Sequence, residues 1–244
     1  KQPRFRKGAL DYSILTFMDR IDVSLRSNLT FTSSLHFIDT TTPYKQENSH
    51  HSRLLVPKMA LEYALANHWK IQPSIYYTRW ESERNEEMNE LLNPGIHIAY
   101  DGIPYQRLLA GVEVYYRNFA RNRVPEHRQQ AWGLFLQNEY SPHPFFSFLA
   151  AIRLDRVAGI DPVISPKVSM FYKPDPILSL RFSVGRGFRA PTVQDLHETL
   201  YTHPGDIHYR AGNPDLQPEY STSGTGNIVW HPHHKVSLMI NGYY

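Results

Sequence analysis

The chain has 244 residues, with 26 Lys+Arg against 23 Asp+Glu for a formal net charge of +3, and no cysteine. A hydrophobic fraction of 41% with 20% charged residues excludes a disordered chain, and so small a positive excess is not the footprint of a nucleic-acid binder, whatever the pI near 9.0. No run approaches the ~18 consecutive apolar residues of a spanning helix, and the missing thiols leave neither a disulfide nor a thiolate metal site, as suits a reducing compartment or a bacterial envelope protein.

In chain order, Lys1–Lys7 lacks the apolar core of a signal peptide, which predicts a cytoplasmic protein or a mature or shortened chain. A tight link is expected at Met18–Ile21. From 23 to 37 the odd positions read Val23, Leu25, Ser27, Leu29, Phe31, Ser33, Leu35, Phe37 and the even ones are polar. Read as a single strand at ~3.3 Å per residue, this run would span roughly 50 Å, far beyond a globular strand. Alternation returns at Leu61–Leu65, Ile71–Tyr77, Leu108–Tyr116, Phe146–Leu154, Leu180–Val184 and Val236–Ile240, for about twelve strands in all. Pro57 and Pro73 fall inside strand-like segments and disagree with a closed ladder there.

Links alternate in kind. Turn-rich short ones at Met18–Ile21, Ala66–Trp69, Asp101–Tyr105, Ser141–Pro144, Lys173–Pro176 and His231–His234 are separated by long polar ones near 38–51, 81–95, 121–129, 156–163 and 187–218. An up-and-down meander then puts every tight turn at one end and every long loop at the other. That is the asymmetry of an all-β, antiparallel transmembrane β-barrel with short periplasmic turns and long extracellular loops. Its apolar face would meet lipid, while Arg26, Glu62, Glu113, Arg117, Glu139, Arg153 and Arg181 would line an aqueous interior. With aromatics at 13%, Trp69, Trp80, Tyr100, Phe145, Tyr172 and Trp230 suit interfacial belts. The competing soluble sandwich or small barrel would have to fill an interior between strands of this length.

Two boxes flank the last long link: Gly185–Thr192, containing Phe188, Arg189, Ala190 and Pro191, and Gly212–Glu219, containing Asn213, Pro214, Leu216, Pro218 and Glu219. Here the sequence resembles the TonB-dependent outer-membrane receptors, which carry a Phe-Arg-Ala-Pro box and an Asn-Pro-x-Leu-x-Pro-Glu box around one extracellular loop. Gly133–Tyr140, Ala151–Asp155 and Ser165–Lys173 are similar to family strands. The resemblance implies barrels of about 22 strands closed by an N-terminal plug, import of a scarce nutrient such as a ferric siderophore, haem or cobalamin, and the TonB complex, outer-membrane lipid and a small nutrient ligand as partners. Residues 1–244 then read as part of one barrel domain without its plug or C-terminal strands, with a passive twelve-stranded channel as the alternative. Both boxes can shape the loop without touching ligand, because Pro191, Pro214 and Pro218 interrupt ladder pairing.

Within the loop the resemblance points to His197, His203 and His208 as ligand-binding candidates, and to His203, at the family spacing, as an axial ligand if haem is the cargo. Asp215 stands where haem receptors usually carry Asn. His36, His50, His51 and His127 are assigned to the same end. Glu81, Glu83, Glu86, Glu87 and Glu90 crowd one link without the spacing of a calcium motif and read as a solvated acidic loop. No serine–histidine–asparagine arrangement with a supporting motif indicates an enzyme. No covalently bound cofactor is expected.

Overall fold

The computed structural model describes residues 12–44, 48–83, 86–121, 124–197, 199–201, 209–233 and 235–244. Ten strands run in succession: β1 (Ser13–Arg26), β2 (Leu29–Tyr44), β3 (Asn48–Ala66), β4 (Trp69–Ser82), β5 (Glu87–Tyr100), β6 (Gln106–Arg121), β7 (Val124–His143), β8 (Phe146–Val157), β9 (Val163–Tyr172) and β10 (Leu178–Arg189). After them come a one-turn helix α1 (Val193–His197), the short pair β11 (Thr199–Tyr201) and β12 (Tyr209–Ala211), then β13 (Glu219–His233) and β14 (Val236–Tyr243). All but β11 and β12 join one 12-stranded sheet in which each strand pairs with its neighbours in sequence, and β13 takes the place beside β10. The sheet is open, with β1 and β14 at its edges.

Most of the ladders pair residues of equal parity. Val23 lies opposite Phe31, Glu113 opposite Gly133 and Phe182 opposite Gly226; β4·β5, with Trp69 opposite Tyr100, is the exception. This corrects the reading of 23–37 as one strand. The alternation passes without a change of phase through the hairpin at Ser27–Asn28, so β1 and β2 look like a single long strand, and Met18–Ile21 is ladder, not turn.

Because side chains alternate across a strand, these registers sort the whole sheet into two faces. One carries Leu29, Phe31 and Leu35, then Met59, Leu61 and Tyr63, Val112 and Val114, Leu134 and Leu136, Ile152, Phe182 and Ile240. Large apolar side chains on it are exposed, Leu136 at 51% and Ile152 at 48%. Next to the tight turns this face ends in rings: Trp69 lies against Tyr100 at 4.4 Å, and Tyr172 meets Phe145 edge-on at 6.3 Å. Trp80 departs from the expected belt, since its register with Leu54 and Asn89 puts it on the polar face.

The other end of the sheet is more extended than its composition predicts. Residues 38–51, 81–95 and 121–129 are mostly paired strand, and the links there are 45–47, 83–86, 122–123 and 158–162; the long connection is 190–218. Polar side chains do not oppose strand pairing, because the ladder is made by the backbone and either face can be hydrated. The acidic link is accordingly the β4–β5 hairpin, with Glu81 and Arg79 paired, Glu90 accepting from Tyr77 at 2.7 Å, and Glu87 accepting from Asn89 at 3.0 Å.

The prolines are accommodated at specific seams. The β3·β4 ladder skips the pairs containing Pro57 and Pro73, and each proline keeps its partner on the opposite side, Leu35 and Ile96. A strand residue directs its N–H to one neighbour only, so a proline removes one rung. At Pro94 the β5·β6 ladder is likewise broken, and the Asn93 side-chain amide donates to the Val114 carbonyl at 2.8 Å in its place.

Candidate functional site

Three groups of residues on the polar face carry its chemistry. The first lies mid-wall on β5–β8, where register brings His97, Glu113, Tyr115, Phe135, Arg153 and Asp155 to the same side. Arg153 donates from Nη1 to Glu113 at 2.9 Å and from Nε to both Asp155 oxygens at 2.9 and 3.0 Å. Tyr115 donates to Glu113 at 2.6 Å, and His97 Nε2 lies 3.3 Å from the same carboxylate. Glycines make room for this layer: a Cβ on Gly133 would run into the Arg153 guanidinium and the Asp155 carboxylate, and one on Gly111 would meet the Phe135 and His97 rings. The guanidinium therefore lies close to the sheet between two carboxylates, one cation shared by two anions. Glu113 and Arg153 were legible in the sequence as interior residues, whereas His97, Tyr115 and Asp155 were not, since their meeting depends on the inter-strand register.

The second group is the mouth formed by the two boxes. β10 ends on Arg189, directly opposite Glu219 at the start of β13, and the Arg189 guanidinium reaches Glu219 at 3.6 Å and Asp195 at 3.3 Å. Thr192 caps α1: its hydroxyl accepts from the Asp195 N–H at 3.1 Å, and the Asp195 carboxylate accepts from the Thr192 N–H at 2.9 Å. This is a reciprocal capping arrangement with aspartate in the third helical position. Asn213 N–H donates to the Asp195 carbonyl at 2.9 Å, tying the second box to the first, and the Asn213 side chain accepts from Asp215 N–H at 2.9 Å. Pro191 and Val193 are buried, and buried Gln129 of β7 donates to the Pro191 carbonyl at 3.2 Å. Gln194 donates to Glu87 of β5 at 3.0 Å. A loop rooted on β10 and β13 thus touches β7 and β5 on the polar face, which requires the sheet to curl toward that face.

Of the named box residues, Arg189, Pro191, Asn213 and Glu219 make these contacts. Phe188 pairs with Tyr220 in the ladder, and Ala190, Leu216 and Arg189 line a small recess beside the junction. Pro214 and Pro218 lie in the segment that leads into β13. His197 is the last residue of α1; His203 and His208 lie outside the described residues. His36 is mid-strand on the polar face of β2, opposite Met18, instead of in a loop, and His51 of β3 shares a 3.1 Å hydrogen bond with Thr41. Among the described residues no three His, Asp or Glu gather closely enough to hold a metal ion.

The third group lines a recess of about 970 Å³ on the polar face of β7–β10, β13 and β14. Lys167, Lys173 and Arg181 face it together with Ser169, Ser183 and Asn227, and Glu139 at its edge accepts from Ser147 at 3.3 Å. Arg181 lies over the Phe171 ring at 5.0 Å, and among the described residues none of the three cations forms an ion pair.

Against this geometry, the chain matches the family model described as TonB dependent receptor-like, beta-barrel, over residues 4–244. It is 32% identical over 101 residues to an iron-regulated outer membrane virulence protein of Vibrio cholerae, an alignment covering 41% of this chain and 15% of that protein. Among solved structures, the siderophore receptor PirA of Acinetobacter baumannii superposes with a TM-score of 0.78 at 12% identity, covering 95% of this chain and 42% of the receptor. The Serratia marcescens hemophore receptor HasR, in complex with its hemophore HasA and heme, superposes at 0.69 with 17% identity over 90% of this chain and 42% of that receptor. The chain spans less than half the length of these two receptors and a smaller share still of the Vibrio protein.

Proposed function

Since the chain belongs to the TonB dependent receptor-like β-barrel family of the outer membrane, we propose that it supplies barrel wall and loop mouth to a receptor that binds an iron chelate outside the cell and admits it inward. The observation that carries this reading is the first part of the connection between β10 and β13, residues 190–196, which leaves the top of the wall and is held over the polar face by the contacts of Pro191 with Gln129 and of Gln194 with Glu87. A solute arriving from outside would meet that loop before it met the wall. The apolar outer face and the aromatic rings at its turn end fit a wall standing in lipid. The family match favours the receptor over a passive channel.

Iron is the favoured cargo because the matched Vibrio protein is named as iron-regulated and the superposed receptors are named for a siderophore and for a hemophore with heme. Binding and passage need no covalent step. Energy coupling through TonB acts, in this reading, on a plug carried by the whole protein. The test is uptake of radioactive iron by an iron-starved bacterium whose own ferric-chelate receptors are deleted and which expresses the full-length receptor. Accumulation that requires both the receptor and TonB supports the proposal; receptor-independent or TonB-independent accumulation overturns it. Titration of the same receptor with haem in detergent, with His203→Ala and His208→Ala beside it, assigns or removes haem as the chelate.

A further inference from the structure

We infer that Arg156 and Arg186, at the loop-end edge of the lipid face, anchor the phosphate headgroups of the surrounding leaflet, so that the β8–β14 side of the wall holds phosphorylated lipid against it. The site is on the outside of the wall and does not depend on which cargo passes through.

The even-numbered side chains of β8, β9, β10, β13 and β14 share the outer face with Ile152 and Phe182. Among the described residues at those positions there is no Asp or Glu, and Arg156 and Arg186 are the only Lys or Arg. Arg156 lies ten residues along β8 from Phe146, and Arg186 eight along β10 from Leu178. At ~3.3 Å per residue on a strand tilted ~45°, ten residues rise roughly 23 Å, close to the height of the apolar band of such walls. Both cations therefore stand where hydrocarbon gives way to headgroups, with Ile152, Phe182 and Val184 exposed below them. Arg186 is exposed, and its guanidinium lies over the Tyr220 ring at 4.6 Å although its ladder partner is Thr222. Tyr220 is one rung nearer the loop end, so the side chain bends up the wall, as a long cationic side chain does when it reaches from hydrocarbon for the interface. It forms no ion pair among the described residues. Arg156, opposite Trp132, has one carboxylate contact, at 4.0 Å to the fully exposed Asp161. The outer face of β2–β7 differs at the same end: there Arg53 meets Asp39 at 3.5 Å, Arg79 meets Glu81 and Glu90, and Arg128 meets Glu126 at 2.9 Å. The planar fork of arginine matches two oxygens of a phosphate, which is the anion that bilayer headgroups present at this depth.

The experiment places the full-length receptor in bilayers of digalactosyldiacylglycerol, which carries no phosphate, with phosphatidic acid as the minor lipid. The receptor is then extracted in mild detergent, and the lipid it retains is counted by mass spectrometry. Wild type is expected to retain phosphatidic acid several-fold beyond its share of the bilayer. Arg156→Gln and Arg186→Gln should each lower that excess about fivefold, and the double variant about thirtyfold, as follows from the usual worth of one cation at an anionic lipid surface. Arg128→Gln, whose guanidinium is paired with Glu126, should leave the excess unchanged. In bilayers of the galactolipid alone, the double variant should unfold within about 2 °C of wild type, since neither side chain then has an anion to lose. Retention by wild type no greater than the lipid's share overturns the inference, as does a double variant that retains as much as wild type. An equal loss in Arg128→Gln also overturns it, because binding would then follow total charge and not this edge. Should the double variant fail to fold, the two single variants decide in the same way. Iron uptake by the variants bears on the proposed function alone, so the two readings can fail separately.

Discussion

Two sectors of one polar face solve the problem of charge differently. On β5–β8 a layer centred on Arg153 is paired, with Glu113 and Asp155 on either side of one guanidinium, and glycines at 111 and 133 leave the room in which that layer lies close to the sheet. Beside the tight turn after β9, Lys167, Lys173 and Arg181 have no carboxylate partner among the described residues, and the lining beside them includes serine and asparagine. Charge in the first sector holds the wall in shape, since removing one member leaves the others partly desolvated and unpaired. Burial follows the same division, since Arg153 keeps 30% of its side-chain exposure whereas Lys167, Lys173 and Arg181 are exposed.

The sharpest way to break this comparison is steric. Gly133→Val in the full-length receptor should force Arg153 and Asp155 apart, destabilise the barrel by about 3 kcal/mol or more, and cut the folded yield. Urea unfolding in lipid vesicles measures it, and an unchanged midpoint would mean that the layer is not close-packed. Next in size, Arg153→Met should cost about 2 kcal/mol, below the figure for a fully buried pair because the site is partly hydrated. Arg181→Met should stay within about 0.5 kcal/mol. A reversal of that order would exchange the roles of the two sectors. Asn93→Ala removes the donor that replaces the rung lost at Pro94 and should cost about 1 kcal/mol by the same assay. The smallest effect belongs to the mouth: Thr192→Ala weakens the cap on α1 by about 1 kcal/mol, which hydrogen exchange at the amides of 194–196 would register with little change in global unfolding.

Strand number and the two faces were legible because outer-wall side chains alternate with polar ones, as at Leu108–Tyr116 and Phe146–Leu154, and the registers confirm that phase. Strand boundaries were less so. The run 23–37 concealed a hairpin, since pairing of equal parity carries the alternation through a two-residue turn. Polar residues in 81–95 read as loop, yet their backbone pairs regardless of what their side chains do. The boxes could be read as markers of a loop, but the bridge from Arg189 to both Asp195 and Glu219 depends on a turn that only the folded chain displays. The Lys167–Arg181 recess was half visible: Arg181 could be assigned to the interior, whereas its place over the Phe171 ring depends on the register of two strands.

The order of pairing also bears on how the wall is built. Every ladder of the large sheet except β10·β13 joins neighbours in sequence, and apart from 190–218 the connections are short, so most of the sheet can form by adding one hairpin to the last at small entropic cost. Joining β13 to β10 is the step that must close a long loop, and the closure cost grows with the logarithm of its length. The Thr192–Asp195 cap and the Asn213–Asp195 backbone bond, once formed, shorten the free part of that loop. The mouth thereby acts as a kinetic splint, and variants that loosen it should delay the docking of the last two strands more than they weaken the finished wall.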